Sequence, residues 1–204
     1  SGIRTCDMLD AKKFVEKFGE QIDAKNQILE KLFDAPPLDK EAMIREYLDY
    51  AKMLAPYIRD TGVLVYEAIR TGKKVLFEGA QGSLLDIDLG TYPYVTSSHP
   101  TSGGFTTGSG IGIGSISDVL GIVKAYTTRV GKGPFVTELF DETGDRIREI
   151  GHEYGVTTGR PRRIGWFDAV IVNYSSRING MTAVALMLLD VLSSFDTLQI
   201  CYAY

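Results

Sequence analysis

A chain of 204 residues with net charge −4, 44% hydrophobic and 24% charged, has ordinary globular composition and room for one sizeable core. The acidic balance excludes a general electrostatic grip on a nucleic-acid backbone, and no apolar run is long enough to cross a bilayer as a helix. Two cysteines, Cys6 and Cys201, and two histidines, His99 and His152, are too few and too scattered for a disulfide framework or a zinc site. No signal-like segment appears, so two free thiols in a reducing cytoplasm are expected. The chain opens at Ser1 without Met and stops at Tyr204 in what reads as a strand. It reads as a piece of a longer protein.

The first 72 residues read as a helical region. Asp10 is placed to cap a helix through Phe14, Phe18, Ile22, Ile28, Leu29, Leu32 and Phe33, with Pro36-Pro37 as its stop. Asp39 caps a second helix carrying Met43, Tyr47, Ala51 and Leu54 on one face. A third runs from Gly62 to Arg70 and ends at Thr71-Gly72. Such stripes ordinarily face a core.

Residues 73–204 alternate strands and helices. Lys73 to Phe77 reads as a short strand, 101–114 as a glycine-rich loop, and Asp118 as the start of a helix through Val119, Ile122, Val123 and Tyr126. A strand at Phe135–Leu139 and helices at Asp145–Tyr154 and Phe167–Ile178 follow. Met181 to Leu189 has the continuous apolar run of a strand buried on both faces, and Leu198 to Tyr204 reads as a last strand. The expected class is α/β, a mostly parallel sheet core with flanking helices and an N-terminal helical layer.

Ligands of open α/β sheets collect beyond the carboxyl ends of strands. Gln81, between Gly79 and Gly82, carries an amide that both donates and accepts, so it suits the lactam edge of a purine and equally a structural turn. The run Thr101 to Gly114 lacks the Lys-Ser/Thr that a Walker loop needs; its backbone can still cradle phosphate or form an active-site wall. Arg160, Arg162 and Arg163 follow Thr157, Thr158 and Gly159, with Pro161 stiffening the loop. Guanidinium forks beside Gly and Pro in an acidic chain favour recognition of carboxylate or phosphate over plain solvated surface. Asp190, after an apolar run, can accept from N1–H and the 2-amino group of guanine, or simply cap a turn.

Together, Phe77-Glu-Gly-Ala-Gln-Gly-Ser-Leu-Leu-Asp-Ile-Asp88, Gly90-Thr-Tyr-Pro-Tyr-Val-Thr-Ser-Ser98, Lys124-Ala-Tyr-Thr-Thr-Arg-Val-Gly131, Gly133-Pro134, Thr137-Glu-Leu-Phe-Asp-Glu-Thr-Gly144 and Thr157-Thr-Gly-Arg160 resemble adenylosuccinate synthetase, block by block and in order. The resemblance extends over essentially the whole chain. It implies a P-loop-NTPase-like ligase that phosphorylates the 6-oxygen of IMP with GTP and then displaces that phosphate with the amine of L-aspartate, with Mg2+, as a cytoplasmic homodimer. By resemblance, Gln81, Thr96, Val130 and Arg160 bind IMP, with Gln81 supporting catalysis. Val156, Thr157, Thr158, Gly159, Arg160, Pro161 and Arg162 hold aspartate. Arg162, Leu188, Leu189 and Asp190 meet GTP, Asp190 reading guanine.

Two departures accompany the match. Leu188 stands where the family often has Lys, and the family's Gly-Asp-Glu-Gly-Lys-Gly-Lys loop is absent from these residues. The catalytic Asp that also ligates magnesium, the catalytic His, the Arg that crosses the dimer and the rest of the guanine pocket are therefore expected outside this chain. The isolated 204 residues are expected not to turn over. The alternative class is a non-catalytic purine-nucleotide-binding or dimerisation module that retains the scaffold.

Overall fold

The computed structural model describes residues 2–156 and 159–204. The chain divides into two compact units, Ser1–Leu64 and Val65–Tyr204. The division falls inside the third helix, ahead of the 72/73 junction.

The first unit is helical. A 3₁₀ turn at Thr5–Leu9 leads into α1 (Ala11–Phe33), followed by α2 (Lys40–Leu54) and a 3₁₀ turn at Ala55–Tyr57. The Asp10 carboxylate accepts from the Lys13 N–H at 3.0 Å, and that of Asp39 from the Ala42 N–H at 2.8 Å. Each satisfies one orphan donor of a first turn, worth about 1 kcal/mol. α1 ends before the prolines, on Asp34 in the left-handed region at φ 48°. Aromatic rings stack along α1, Phe14 on Phe18 at 5.1 Å, and join α1 to α2, Phe18 on Tyr47 at 4.9 Å. The Asn26 side chain both donates to and accepts from the Leu38 backbone, which pins the connection. α3 (Thr61–Arg70) follows and is succeeded by Gly72 at φ 80°.

In the second unit come α4 (Ser102–Ser109), β1 (Leu120–Lys124), β2 (Thr127–Arg129), α5 (Glu142–Ile150), β3 (Arg163–Gly165), β4 (Phe167–Asp168), α6 (Ala169–Asn179), β5 (Ala183–Met187) and β6 (Ile200–Cys201). β1 pairs in parallel with β5, from Leu120 opposite Ala183 to Lys124 opposite Met187. β4 and β6 are also parallel, while β2 and β3 are antiparallel. Parallel pairs joined through helices make this an α/β chain. Ala125, Tyr126, Ile147, Ile164, Val191 and Leu192 form the core, with Leu139, Trp166, Leu188 and Phe195 against it.

Several expectations give way to tertiary effects. Residues 73–77 form no strand: nothing among the described residues supplies a partner ladder, and Leu76 is exposed. The stretch from Asp118 is β1 and β2 rather than a helix. β-branched Ile122 and Val123 favour the ladder that β5 offers, and a Cβ on Gly121 would lie 2.3 Å from the Met181 sulfur.

The glycine-rich run is partly helical, not a loop. Asn179 Oδ1 caps the start of α4 by accepting from the Ser102 N–H at 2.8 Å, and Gly110 ends the helix at φ 73°. Phe135–Leu139 is reduced to one bridge, Glu138 to Gly165. α5 begins earlier than read, because the Asp141 carboxylate accepts from the Gly144 N–H. Phe167 and Asp168 pair with β6, and Asp168 then caps α6. β5 is shorter than the apolar run and is not buried on both faces; Val184, Leu186 and Met187 are exposed. Among the described residues its ladder partner is β1 alone.

Candidate active site: a base loop and an arginine hairpin

The backbone at Gln81 adopts φ 69°, which turns its amide back toward the segment 96–98. The amide nitrogen donates to Thr96 Oγ1 at 3.3 Å, and the Ser98 hydroxyl donates to Gln81 Oε1 at 3.4 Å. Ser98 and Thr96 hydroxyls are 3.2 Å apart. The fold thus gathers Gln81 and Thr96, seventeen and two residues from Ser98, into one exposed amide–hydroxyl cluster. Ser98 is a member that sequence reasoning passed over, although it stands only two residues beyond Thr96.

Beneath that cluster lies Asp86, fully buried. Its carboxylate accepts from the Asp88 and Leu89 N–H groups at 3.0 and 3.1 Å and from the Thr101 hydroxyl at 3.0 Å, with His99 Nδ1 at 3.3 Å. Burial alone would raise this carboxyl, but those donors outweigh it and hold the group at about 2. The Thr96 N–H donates to Leu85 O at 2.8 Å and the Ile87 N–H to Ser98 O at 3.2 Å, so the loop is stitched to itself. Gly90 closes the turn, where a Cβ would sit 2.3 Å from Leu84 O.

Val130 is exposed on the turn that holds Gly131 at φ 78° and Gly133 at φ 118°. Its neighbour Arg129 donates to Thr91 Oγ1 at 2.9 Å and Tyr94 O at 3.1 Å, tying the Val130 turn to the Thr96 loop. Burial, and then the nearby Arg163 charge, lowers the Arg129 pKa.

The described residues of the predicted arginine loop pair with those before it as a hairpin. Tyr154 bridges Pro161 antiparallel, the Arg162 N–H donates to Glu153 O at 2.9 Å, and the Gly155 N–H donates to Arg160 O at 2.8 Å. Val156, Gly159 and Arg160 lie exposed toward its end, with Gly159 at φ 62°. Thr157 and Thr158 lie outside the described residues. The three arginines do not act alike. Arg163 makes a two-pronged pair with Glu138, donates to Gly131 O and Gly133 O at 3.0 and 2.9 Å, and lies over Phe135. The Glu138 bond raises its pKa. Arg163 is thus committed to holding the Val130 turn. Arg162 is partly exposed, with Nη1 on Glu153 Oε2 at 2.6 Å and a buried Nε that has no hydrogen-bond partner among the described residues.

Glu153 itself is buried. Besides Arg162 it takes Lys124 Nζ at 2.5 Å and the Tyr126 hydroxyl at 2.7 Å. Burial works to raise its pKa; Lys124, Tyr126 and Arg162 together overcome this and lower it. The same burial, joined by the Glu153 bond and the field of Asp190, raises the Tyr126 phenol. Lys124 ends β1, and the Ala125 N–H donates to Met187 O at the end of β5. The Glu153 cluster therefore sits at the carboxyl ends of the parallel pair, where ligands of such sheets collect.

Asp190 does not terminate a strand. It opens a 3₁₀ turn, Asp190–Leu192, and is exposed together with Leu189. Leu188, at φ 61°, packs against the core instead of standing free to stack on a base. Val191 and Leu192, buried just behind, explain that geometry: the chain turns to insert them. Among the described residues no three His, Cys, Asp or Glu side chains gather as a metal shell, and no helix is long and apolar enough to cross a membrane.

Fold and site define an α/β chain that presents an amide–hydroxyl cluster and an arginine hairpin beside the ends of a parallel strand pair. The family model for adenylosuccinate synthetase matches residues 1–204, and the chain belongs to that family. It is 63% identical over 205 residues to the adenylosuccinate synthetase of Clostridioides difficile (strain 630), covering 100% of this chain and 48% of that protein. The corresponding protein of Alkaliphilus metalliredigens (strain QYMF) is 62% identical over 204 residues, with the same coverage. A solved structure of fully ligated adenylosuccinate synthetase from Plasmodium falciparum superposes with a TM-score of 0.88 at 42% identity, over 98% of this chain and 46% of that one. The chain spans about half the length of the curated relatives it matches.

Proposed function

We propose that this chain carries the substrate-holding share of a GTP- and Mg2+-dependent adenylosuccinate synthetase that joins IMP to L-aspartate, acting in the cytoplasm as a homodimer. The observation that carries the reading is the family match over the whole chain. The gathering of Gln81 and Thr96 into one exposed cluster supports it. In this reading the Gln81 amide engages the 6-position edge of hypoxanthine while that oxygen is phosphorylated, and Thr96 meets the 5′-phosphate. Val130 lines the same nucleotide pocket.

The hairpin residues Val156, Gly159, Arg160, Pro161 and Arg162 close over aspartate, with Thr157 and Thr158. Arg160 also reaches the ribose of IMP, and Arg162 with Leu189 and Asp190 faces the guanine nucleotide. Leu188 backs that site from the core. Magnesium, held by ligands outside these residues, would supply charge neutralisation for the transferring phosphoryl group. The chain's own part is orientation and charge stabilisation of the two reactants.

The test is formation of adenylosuccinate from IMP, GTP, aspartate and Mg2+ by the protein expressed from its complete reading frame. Arg160→Ala should lower kcat/KM for aspartate about a hundredfold, as expected for loss of a charge-assisted fork to a carboxylate. Unchanged aspartate kinetics would remove the hairpin from the site.

A further inference from the structure

Arg162 poses a question that the substrate reading leaves open. A guanidinium meant to meet an anion is held at Nη1 by the chain's own carboxylate, while its Nε is buried with no hydrogen-bond partner among the described residues. An unpaired buried donor costs free energy, so the orientation must be imposed from elsewhere. Glu153 imposes it. One carboxylate oxygen, Oε1, takes Lys124 at 2.5 Å and Tyr126 at 2.7 Å, both from the end of β1 and the turn after it. The other, Oε2, takes Arg162 at 2.6 Å. The backbone adds a second tie between the same two residues, Arg162 N–H to Glu153 O, and Arg148 Nε donates to Arg162 O at 2.9 Å. The carboxylate thus transmits the position of a strand end to one arginine on the hairpin.

Resting on the functional reading above, we propose that Glu153 is a positioning residue: anchored by Lys124 and Tyr126, it aims the Arg162 guanidinium at the carboxylate of the amino-acid substrate. Beyond the one Nη1 hydrogen given to Glu153, three Nη hydrogens remain for the ligand, because a guanidinium offers five donors in a fixed fork. Glu153 touches no reactant. It acts through Arg162, and it sets how well the dicarboxylate is held rather than how fast phosphate moves.

A double-mutant cycle in the protein expressed from its complete reading frame tests this. Glu153→Gln keeps the shape of the side chain but turns one acceptor into a donor facing other donors. It should raise KM for aspartate about tenfold, with kcat within about threefold and KM for IMP within about twofold. In an Arg162→Ala background the same change should add nothing to KM for aspartate.

Equal rises for IMP and aspartate, or an undiminished effect of Glu153→Gln when Arg162 is gone, would make Glu153 a general structural support and overturn the proposal. Should Glu153→Gln fail to fold, Tyr126→Phe removes one donor from the anchor alone. It should raise KM for aspartate about two- to threefold, and an unchanged value overturns the proposal too. A wild-type protein that makes no adenylosuccinate overturns the functional reading and this inference with it. An active wild type whose Glu153→Gln variant keeps its aspartate KM overturns this inference alone.

Discussion

Asp86 and Glu153 are both buried carboxylates within the candidate site segments, and they are satisfied in opposite ways. Every partner of Asp86 lies within fifteen residues of it, and none is a lysine or arginine: two backbone N–H groups, a threonine hydroxyl and His99. Glu153 draws its partners from residues 9, 27 and 29 positions away, and two of them are cations. The base loop is thus organised by its own chain segment. The Glu153 carboxylate of the arginine hairpin gains two of its three partners only once β1 and the turn after it are in place. A locally closed network holds its geometry without help, whereas one bridging distant segments makes its geometry depend on the whole unit.

The sharpest way to break this contrast is to remove the local hub. Asp86→Ala strands two backbone donors and a buried hydroxyl, which should cost about 3 kcal/mol and lower the melting temperature by roughly 6–12 °C in a chain of this size. Glu153→Gln should cost less, about 1–2 kcal/mol, because Lys124 and Arg162 are each about 30% exposed and can turn to solvent. Thermal melts followed by circular dichroism compare the two directly. A larger loss for Glu153→Gln would reverse the assignment of which loop is self-supporting.

Acid offers a second comparison. Both carboxyls are depressed in the folded state, Asp86 from 3.8 to about 2 and Glu153 below 4.5. A depressed folded pKa contributes stability that is present above the unfolded value and lost as pH falls through the folded one. Melting temperature should therefore drop below about pH 4.5 in the wild type. Glu153→Gln should flatten the upper part of that fall and Asp86→Asn the part between about pH 4 and 2. Melts at half-unit steps measure this, and parallel curves for both variants would place the acid sensitivity elsewhere.

The smallest expected effect is ionic. Raising NaCl to about 1 M shortens the screening length to about 3 Å, so the cost of Glu153→Gln should shrink by a few tenths of a kcal/mol. The cost of Asp86→Ala should not move. Equal salt responses would mean that the charges on Lys124 and Arg162 matter no more than their shape.

Much of the first unit was legible. Asp10 and Asp39 announce α1 and α2 because a capping carboxylate acts on the N–H three residues on, and apolar spacing along a helix is local as well. The blocks around Gln81, Thr96 and Arg160 carried the family for the same reason: they are contiguous stretches of sequence. Reading failed where a partner from afar decides the outcome. Lys73–Phe77 is apolar enough for a strand but forms no ladder among the described residues, and Asp118–Tyr126 has helical spacing yet pairs with β5.

The guanidiniums at 160, 162 and 163 look alike in sequence. Glu138 claims Arg163 from 25 residues away, and Glu153 claims Arg162. Composition, caps and ordered motifs by themselves determined the class of the chain, the helices of its first unit and its family. Only the tertiary structure decided that Glu138 holds Arg163 and Glu153 holds Arg162, because a charge finds its partner through space and not along the chain.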